Sequence, residues 1–171
     1  SQDYGFTTNT SSSFPRELTP TAKKLYFVAN DGISGFELWS ISDQGTKPSR
    51  ISDLNPGNRS SSPEELTVIG KNLYFSADQG NGRRLFYYNK SLKQPKLVKN
   101  SGSNPEELTA VGKHLYYSAE SDLGRELWSA HKTDGKMVKD INPGSESSSP
   151  SDLTMITRIN KINSKTKKSK Y

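Results

Sequence analysis

The pattern Pro-x-x-Leu-Thr occurs four times in this chain of 171 residues, and it restricts the fold more than any other feature. The leucines of the pattern are spaced 48, 42 and 45 residues apart. They are Leu18, Leu66, Leu108 and Leu153. Similarity within one chain at a period of about 20–50 residues is the signature of a repeat architecture. The sequence therefore predicts three tandem copies of one unit and the beginning of a fourth.

Each copy has the pattern of four short strands separated by turns. In copy two the predicted strands cover 65–69, 72–77, 84–89 and 96–99. The second strand alternates most clearly, because Leu73, Phe75 and Ala77 share one face. Gly70-Lys71 and Gly112-Lys113 predict tight hairpin turns, since glycine readily adopts the left-handed backbone of the primed turns. Copy one has Ala22 at the glycine position, so its turn is expected to differ.

A unit of about 45 residues with four antiparallel strands has the size of a β-propeller blade. We therefore predict an all-β fold of tandem four-stranded antiparallel blades, β-propeller-like, with three blades plus the start of a fourth. A β-sandwich of sequential hairpins is the structural alternative. The predicted boundaries are an N-terminal extension (1–13), three repeats (14–61, 62–103 and 104–148), a partial fourth repeat or capping strand (149–162) and a basic tail (163–171).

Three blades cannot close a ring, because closed propellers use about four to eight blades. The chain is therefore expected to be a fragment of a longer array, to join a second copy in a six-bladed ring, or to cap its own open ends. The N-terminal segment and a strand over 153–162 would be the caps. We expect a homodimer in preference to a capped monomer.

The motifs within each copy resemble those of a known family. Copy one contains Glu37-Leu38-Trp39, and copy three contains Gly124-Arg125-Glu126-Leu127-Trp128 followed by Thr133-Asp134-Gly135. In this order the motifs resemble the bacterial ELWxxDGT repeat over residues 14–153. The resemblance implies secreted or surface-exposed multi-repeat proteins with propeller-type folds and no defined activity. Copy two departs from the pattern with Arg84-Leu85-Phe86, and the fourth copy loses it after Thr154.

The net charge of +6 is confined to the C-terminal end of the sequence. Six basic residues and no acidic residue lie from Arg158 to Tyr171, whereas the rest of the chain carries 18 of each. Four lysines of this tail are candidates for contact with an anionic surface, and a solvated terminus is the alternative. They are Lys165, Lys167, Lys168 and Lys170. The lack of cysteine excludes a disulfide framework, and no apolar run approaches the roughly 18 residues of a membrane span.

Aromatic residues that recur at one position of the repeat are the candidate ligand contacts. They are Trp39, Trp128, Tyr74 and Tyr116. Packing between neighbouring blades explains recurring tryptophans better than sugar stacking does. Asp31 and Asp122 lie in short loops, where a carboxylate ordinarily accepts backbone N–H bonds. A calcium ion would need about six to eight oxygen ligands, which is more than these loops supply, so no cofactor is expected.

The sequence contains no constellation that indicates catalysis. His114 and His131 have no metal-ligand spacing, and the pairs Glu64-Glu65 and Glu106-Glu107 recur, as repeat surface does. We therefore predict a non-catalytic extracellular or cell-surface interaction or scaffold module with an unknown protein or glycan partner. The alternative function is a carbohydrate-binding, lectin-like propeller. A propeller hydrolase would need a unique carboxylate or histidine cluster, and no nucleic-acid partner is expected.

Overall fold

The computed structural model describes residues 12–155, which form three antiparallel four-stranded sheets. Sheet 1 contains β1 (Arg16–Pro20), β2 (Lys24–Asn30), β3 (Phe36–Ser42) and β4 (Ser49–Arg50). Sheet 2 contains β5 (Glu64–Ile69), β6 (Asn72–Asp78), β7 (Arg83–Tyr88) and β8 (Lys96–Leu97). Sheet 3 contains β9 (Ser103–Val111), β10 (His114–Ser121), β11 (Gly124–His131) and β12 (Asp134–Lys139). Each sheet takes its strands in chain order, so the predicted all-β fold of tandem four-stranded units is confirmed.

The hairpin turns follow the sequence pattern. Gly70 and Gly112 have φ angles of 62° and 61°, which is the left-handed backbone expected of them. The first turn of sheet 1 differs, as Ala22 predicted, because it is closed by Thr21. The Thr21 hydroxyl accepts a hydrogen bond from the Lys24 backbone N–H at 2.9 Å.

Two apolar cores lie between the three sheets. The first joins sheet 1 to sheet 2 and includes Val28, Leu38, Phe75 and Phe86. The second joins sheet 2 to sheet 3 and includes Tyr74, Leu85, Leu115, Tyr117 and Trp128. Strand β6 is buried at five successive positions, because sheet 2 is covered on both sides. The alternation in β6 therefore divides its side chains between two cores and not between a core and solvent.

Consecutive sheets are also adjacent at their first strands, since β1 contacts β5 and β5 contacts β9. A β-sandwich has two sheets with one core between them. Here a middle sheet has a neighbour on each face, and the first strands lie side by side. This is the arrangement of consecutive blades in a β-propeller.

Each first strand contains the same β-bulge, which the sequence pattern did not predict. In sheet 2, Glu64 pairs with Ser76 and Thr67 with Tyr74, so β5 has one more residue than β6 in that interval. The bulged residue is a glutamate in the left-handed region, where residues other than glycine are uncommon. The φ angles are 55° at Glu17, 60° at Glu65 and 59° at Glu107.

The fourth copy is described as far as Met155. Residues 149–155 contain no strand, but Asp152 has a φ of 55° and so repeats the backbone of the three bulges. The rest of the predicted capping strand (156–162), the basic tail with its four candidate lysines, and residues 1–11 lie outside the described residues. Within residues 12–155 there is no helix with the length and apolar character needed to cross a membrane.

Candidate functional site

The bulged glutamate of each copy forms hydrogen bonds to the next copy. A carboxylate oxygen of Glu65 accepts the backbone N–H of Leu108 at 3.0 Å. Two residues later, the hydroxyl of Thr67 donates to the carbonyl of Leu108 at 2.9 Å. One leucine is thus held at both of its backbone polar groups. We call this pair of hydrogen bonds the clasp.

The clasp is present at every junction of the described array. Between sheets 1 and 2, Leu66 is held by Glu17 and Thr19, each at 3.4 Å. After sheet 3, Leu153 is held by Glu107 at 3.3 Å and by Thr109 at 2.9 Å. Residues of the Pro-x-x-Leu-Thr repeat therefore form the hydrogen bonds that join one sheet to the following one.

The two ends of the described array each present half of a clasp. Leu18 is 60% exposed, whereas its counterparts Leu66 and Leu108 are 9% and 8% exposed beneath a preceding sheet. At the other end, Thr154 donates to the carbonyl of Asp152 at 3.2 Å. The same internal bond joins Thr19 to Glu17 in a complete clasp. Asp152 and Thr154 therefore repeat the backbone conformation and the internal bond of a complete clasp, with a carboxylate side chain that is one methylene shorter.

A second recurring carboxylate is buried in copies one and three, and the sequence analysis did not find it. Glu37 is fully buried and accepts hydrogen bonds from the backbone N–H of Ser61 at 2.8 Å and of Leu54 at 3.2 Å. The Ser61 hydroxyl donates to it at 2.6 Å. Glu126 has the same three kinds of bond, from Ile141 and Ser148. Each glutamate thus fixes the long loop that leads from one sheet to the next.

The surroundings of the two glutamates shift their pKa values in opposite directions. Burial raises the pKa of Glu37, and the negative charge of Asp53 acts in the same direction against the hydrogen bonds from Ser61. Hydrogen bonding, first of all from the Ser148 side chain, lowers the pKa of Glu126. The difference has a physical cause, because sheet 2 adds protein around Glu37, whereas Glu126 lies at the far end of the described array.

Copy two lacks the buried glutamate and the long loop together. Arg84 stands at the glutamate position, and the connection to the next sheet is the short segment 98–102. The glycine that precedes the third strand of copies one and two shows the same difference. A Cβ at Gly35 would lie 2.7 Å from the Ser60 backbone nitrogen, whereas a Cβ at Gly82 would meet nothing within 4 Å. The paired change from Glu to Arg and from long to short loop was the signal that could have revealed this site.

The remaining carboxylates of the repeat form ion pairs at the surface. Arg83 lies 3.1 Å from Glu64, and Arg125 lies 3.3 Å from Glu106, around a cavity of about 190 Å³. In copy one a cation–π contact replaces the ion pair, because Arg16 stands at the position of Glu64 and lies 4.2 Å from the ring centroid of Phe36. The two members of each Glu-Glu pair therefore differ in role. The first pairs with arginine, and the second forms the clasp.

The predicted aromatic contacts are separated in the structure. Tyr74 is 1% exposed, and its hydroxyl accepts the backbone N–H of Lys132 at 2.6 Å. Its burial raises its pKa to about 12. Trp128 is buried between sheets 2 and 3 and donates to the carbonyl of Ala119 at 3.0 Å. Trp39 and Tyr116 are half-buried on the outer faces of sheets 1 and 3, so the four side chains do not form one site.

The predicted aspartate turns differ between copies. Asp31 accepts the backbone N–H groups of Ile33 and Ser34 at 2.9 and 2.7 Å, and these bonds lower its pKa. Asp122 is exposed, and in its turn the Ser121 hydroxyl accepts the N–H of Leu123 instead. The carboxylate of Asp31 is therefore used by its own turn.

These features define a protein of the β-propeller repeat class. No protein-family model matches the chain, and no curated protein matches it either. The solved structures that are similar to it include the following two. One is the crystal structure of a nidogen/laminin complex, with 16% identity and a TM-score of 0.46 over 71% of this chain and 46% of that one. The other is TolB from Acinetobacter baumannii, with 17% identity and a TM-score of 0.49 over 75% of this chain and 32% of that one. The chain thus spans about a third to a half of the length of these structures.

Proposed function

We propose that this chain is a non-catalytic interaction module of the ELWxxDGT type, acting in an extracellular or cell-surface setting, whose sheets close a ring with a second copy. The observation that carries the proposal is the half clasp at each end of the described array. Leu18 meets no Glu–Thr pair within residues 12–155, and Asp152 and Thr154 are arranged as such a pair. The C-terminal end of the described array therefore offers a carboxylate–threonine pair, and Leu18 at the N-terminal end lacks such a pair.

The outer faces of the end sheets support the same pairing. Phe27 and Trp39 lie on the outer face of sheet 1 and are half-buried, whereas their counterparts Phe75 and Phe86 are fully buried against a preceding sheet. Tyr116 on the outer face of sheet 3 is the counterpart of Tyr74, which a following sheet covers. Docking the end of one copy on the beginning of another would therefore reproduce the contacts of the internal junctions. Two such junctions would close six sheets around a twofold axis.

The absence of a catalytic role is supported by how the carboxylates are used. Glu37 and Glu126 hold loops, Glu65 and Glu107 hold the next sheet, and Glu64 and Glu106 pair with arginines. The buried glutamates support the resemblance to the ELWxxDGT repeat, because the glutamate of that motif holds a loop in two copies. Membership of that family remains a proposal.

Light scattering on the eluate of a size-exclusion column tests the ring. We expect a mass twice that of the 19.0 kDa chain. A double variant with Asp152→Ala and Thr154→Val should weaken the dimer about tenfold or more, since it removes one charged and one neutral hydrogen bond at each junction. Asp43→Ala with Thr46→Val is the matched control, because it removes one carboxylate and one hydroxyl from the exposed β3–β4 loop, and it should leave the dimer unchanged.

The proposal is wrong if the full chain is a monomer at every concentration tested. It is also wrong if the chain forms assemblies that grow with concentration, because an array that does not close would do so. Equal dissociation of the Asp152–Thr154 double variant and of the Asp43–Thr46 control would show that the clasp does not form the junction.

A further inference from the structure

The hairpin loops at the two ends of the sheets carry opposite charges. The six loops at the end that contains the β1–β2 turn hold seven lysines and one aspartate, Asp43. The lysines are Lys23, Lys47, Lys71, Lys90, Lys93, Lys113 and Lys132. The three hairpin loops at the opposite end hold Asp31 and Asp122 and no basic residue. Residues 1–157 carry equal numbers of basic and acidic residues, yet the charges of the hairpin loops are distributed unevenly between the two ends of the sheets. We call the basic end the lysine end.

A cleft of about 440 Å³ opens at the lysine end between sheets 1 and 2. Four lysines from different loops and strands line it, and its lining contains no carboxylate. They are Lys23, Lys24, Lys71 and Lys90. The ion pairs within residues 12–155 are all formed by arginines, so these four ammonium groups have no carboxylate within ion-pair distance in the described part of the chain. The volume is in the range of small-molecule sites, which is about 300–1,000 Å³.

The deeper part of the cleft contains neutral hydrogen-bond donors. Tyr26 lines the cleft and is 7% exposed, and its ring packs edge-to-face against Tyr88 with the ring centroids 6.4 Å apart. Among residues 12–155 the Tyr26 hydroxyl has no hydrogen-bond partner, and the Tyr26 side chain forms part of the cleft wall. Burial raises the pKa of Tyr26, so the phenol keeps its proton. Asn72 accepts the Tyr87 hydroxyl through its side-chain oxygen at 2.9 Å, which leaves its amide N–H groups to donate.

We propose that this cleft binds an acidic oligosaccharide, a chain of sugars that carry carboxylate or sulfate groups. The lysines at the rim match the anionic groups, and the Tyr26 hydroxyl and Asn72 amide match sugar oxygens. Ala22, Val68 and the lysine stems supply apolar surface for the carbon face of the sugar.

Two other anionic partners fit the cleft less well. Tyr26 lines the cleft at 7% exposure, which leaves no open ring face on which a nucleobase could stack. A flat bilayer would contact the lysines at the rim but would not reach the Tyr26 hydroxyl between two sheets. This inference concerns a different surface from the junctions of the proposed ring, so either proposal can fail without the other.

Isothermal titration calorimetry of the full chain with three probes tests the cleft. The probes are an oligogalacturonate, a sulfated heparin oligosaccharide and a neutral malto-oligosaccharide of equal length. We expect one or both acidic probes to bind and the neutral probe not to bind. A cleft variant with Lys23→Ser, Lys71→Ser and Lys90→Ser should weaken binding about tenfold or more. Tyr26→Phe should weaken it about threefold to tenfold without changing net charge.

The matched control changes three other exposed lysines of the same end, with Lys47→Ser, Lys93→Ser and Lys113→Ser. It removes the same charge outside the cleft and should bind as the parent chain does. The inference is wrong if the control loses as much affinity as the cleft variant, or if neutralising Lys165, Lys167, Lys168 and Lys170 abolishes binding. Equal binding of single-stranded DNA or of phosphatidylserine vesicles, with the same loss in the cleft variant, would also overturn the assignment to sugars.

Discussion

Glu65 and Leu108 belong to different sheets, yet a carboxylate oxygen of Glu65 accepts the Leu108 backbone N–H at 3.0 Å. The contact requires Glu65 to adopt a φ of 60°, an uncommon conformation for a residue with a Cβ. A conformation of this kind persists where the surrounding structure determines it. The same backbone recurs at Asp152 beyond the third sheet, with a φ of 55°, so each copy has this conformation at the residue from which the clasp carboxylate extends.

Glu65→Ala should lower the free energy of unfolding by about 1–3 kcal/mol, because it leaves a backbone N–H of the next sheet without its charged acceptor. The left-handed backbone is equally uncommon for alanine, so the change isolates the lost hydrogen bond. Glu64→Ala removes the neighbouring carboxylate, which is 51% exposed and pairs with Arg83. That control should cost at most about 1 kcal/mol. Urea unfolding of both variants decides the comparison, and equal losses would contradict the role of the clasp.

Phe75→Ser should destabilise the chain by about 3–5 kcal/mol or prevent folding, because it empties a fully buried site and places a hydroxyl there. Phe75 is stacked on Phe86 with ring centroids 5.7 Å apart in the core between sheets 1 and 2. Leu97→Ser is the control, since Leu97 is 45% exposed, and should change stability by about 0.5 kcal/mol or less. A melting temperature for Phe75→Ser equal to that of the parent would show that this core is not essential.

The stability of the chain should fall at alkaline pH through Tyr74. Its pKa is about 12 in the folded chain and about 10 in an unfolded one. The neutral phenol therefore contributes stability that is fully present below about pH 10 and is lost as pH rises towards 12. Tyr74→Phe should cost about 0.5–1.5 kcal/mol at pH 7 through the unpaired Lys132 N–H. The difference in the free energy of unfolding between the parent and the variant should shrink above pH 10. A difference from urea unfolding that stays constant up to pH 11.5 would contradict this account.

The parts of the fold that depend on local pattern were predictable from the sequence. The strands of copy two differ from their predicted bounds by at most two residues, since alternation and the Gly70 turn determine them locally. The bulge at Glu65 was not predictable in this way, because glutamate has no preference for a positive φ. It accompanies a hydrogen bond to Leu108, a residue 43 positions away in the chain.

The candidate sites depend on contacts that a single strand pattern does not contain. Glu37 lies between Phe36 and Leu38 in a strand pattern that does not indicate its role, yet Ser61, 24 residues later, supplies two hydrogen-bond donors to it. The cleft combines Lys23, Lys71 and Lys90 from three separate loops, and their proximity follows from the stacking of sheets 1 and 2. The aromatic residues led the sequence analysis to Tyr74 because they recur, but recurrence is also what core packing produces.

The clasp also bears on how such a chain can change during evolution. Because each copy gives the same two hydrogen bonds to the next copy and receives the same two from the previous one, the junction does not depend on which copies meet. Unequal recombination between the DNA segments that encode two copies would delete or duplicate a whole sheet and leave every junction chemically intact. Copy two, which has lost its buried glutamate and long loop but keeps Glu65 and Thr67, shows which features can drift and which the array retains. The number of blades that such genes encode should therefore vary more readily than the Glu-Leu-Thr sequence that joins one blade to the next.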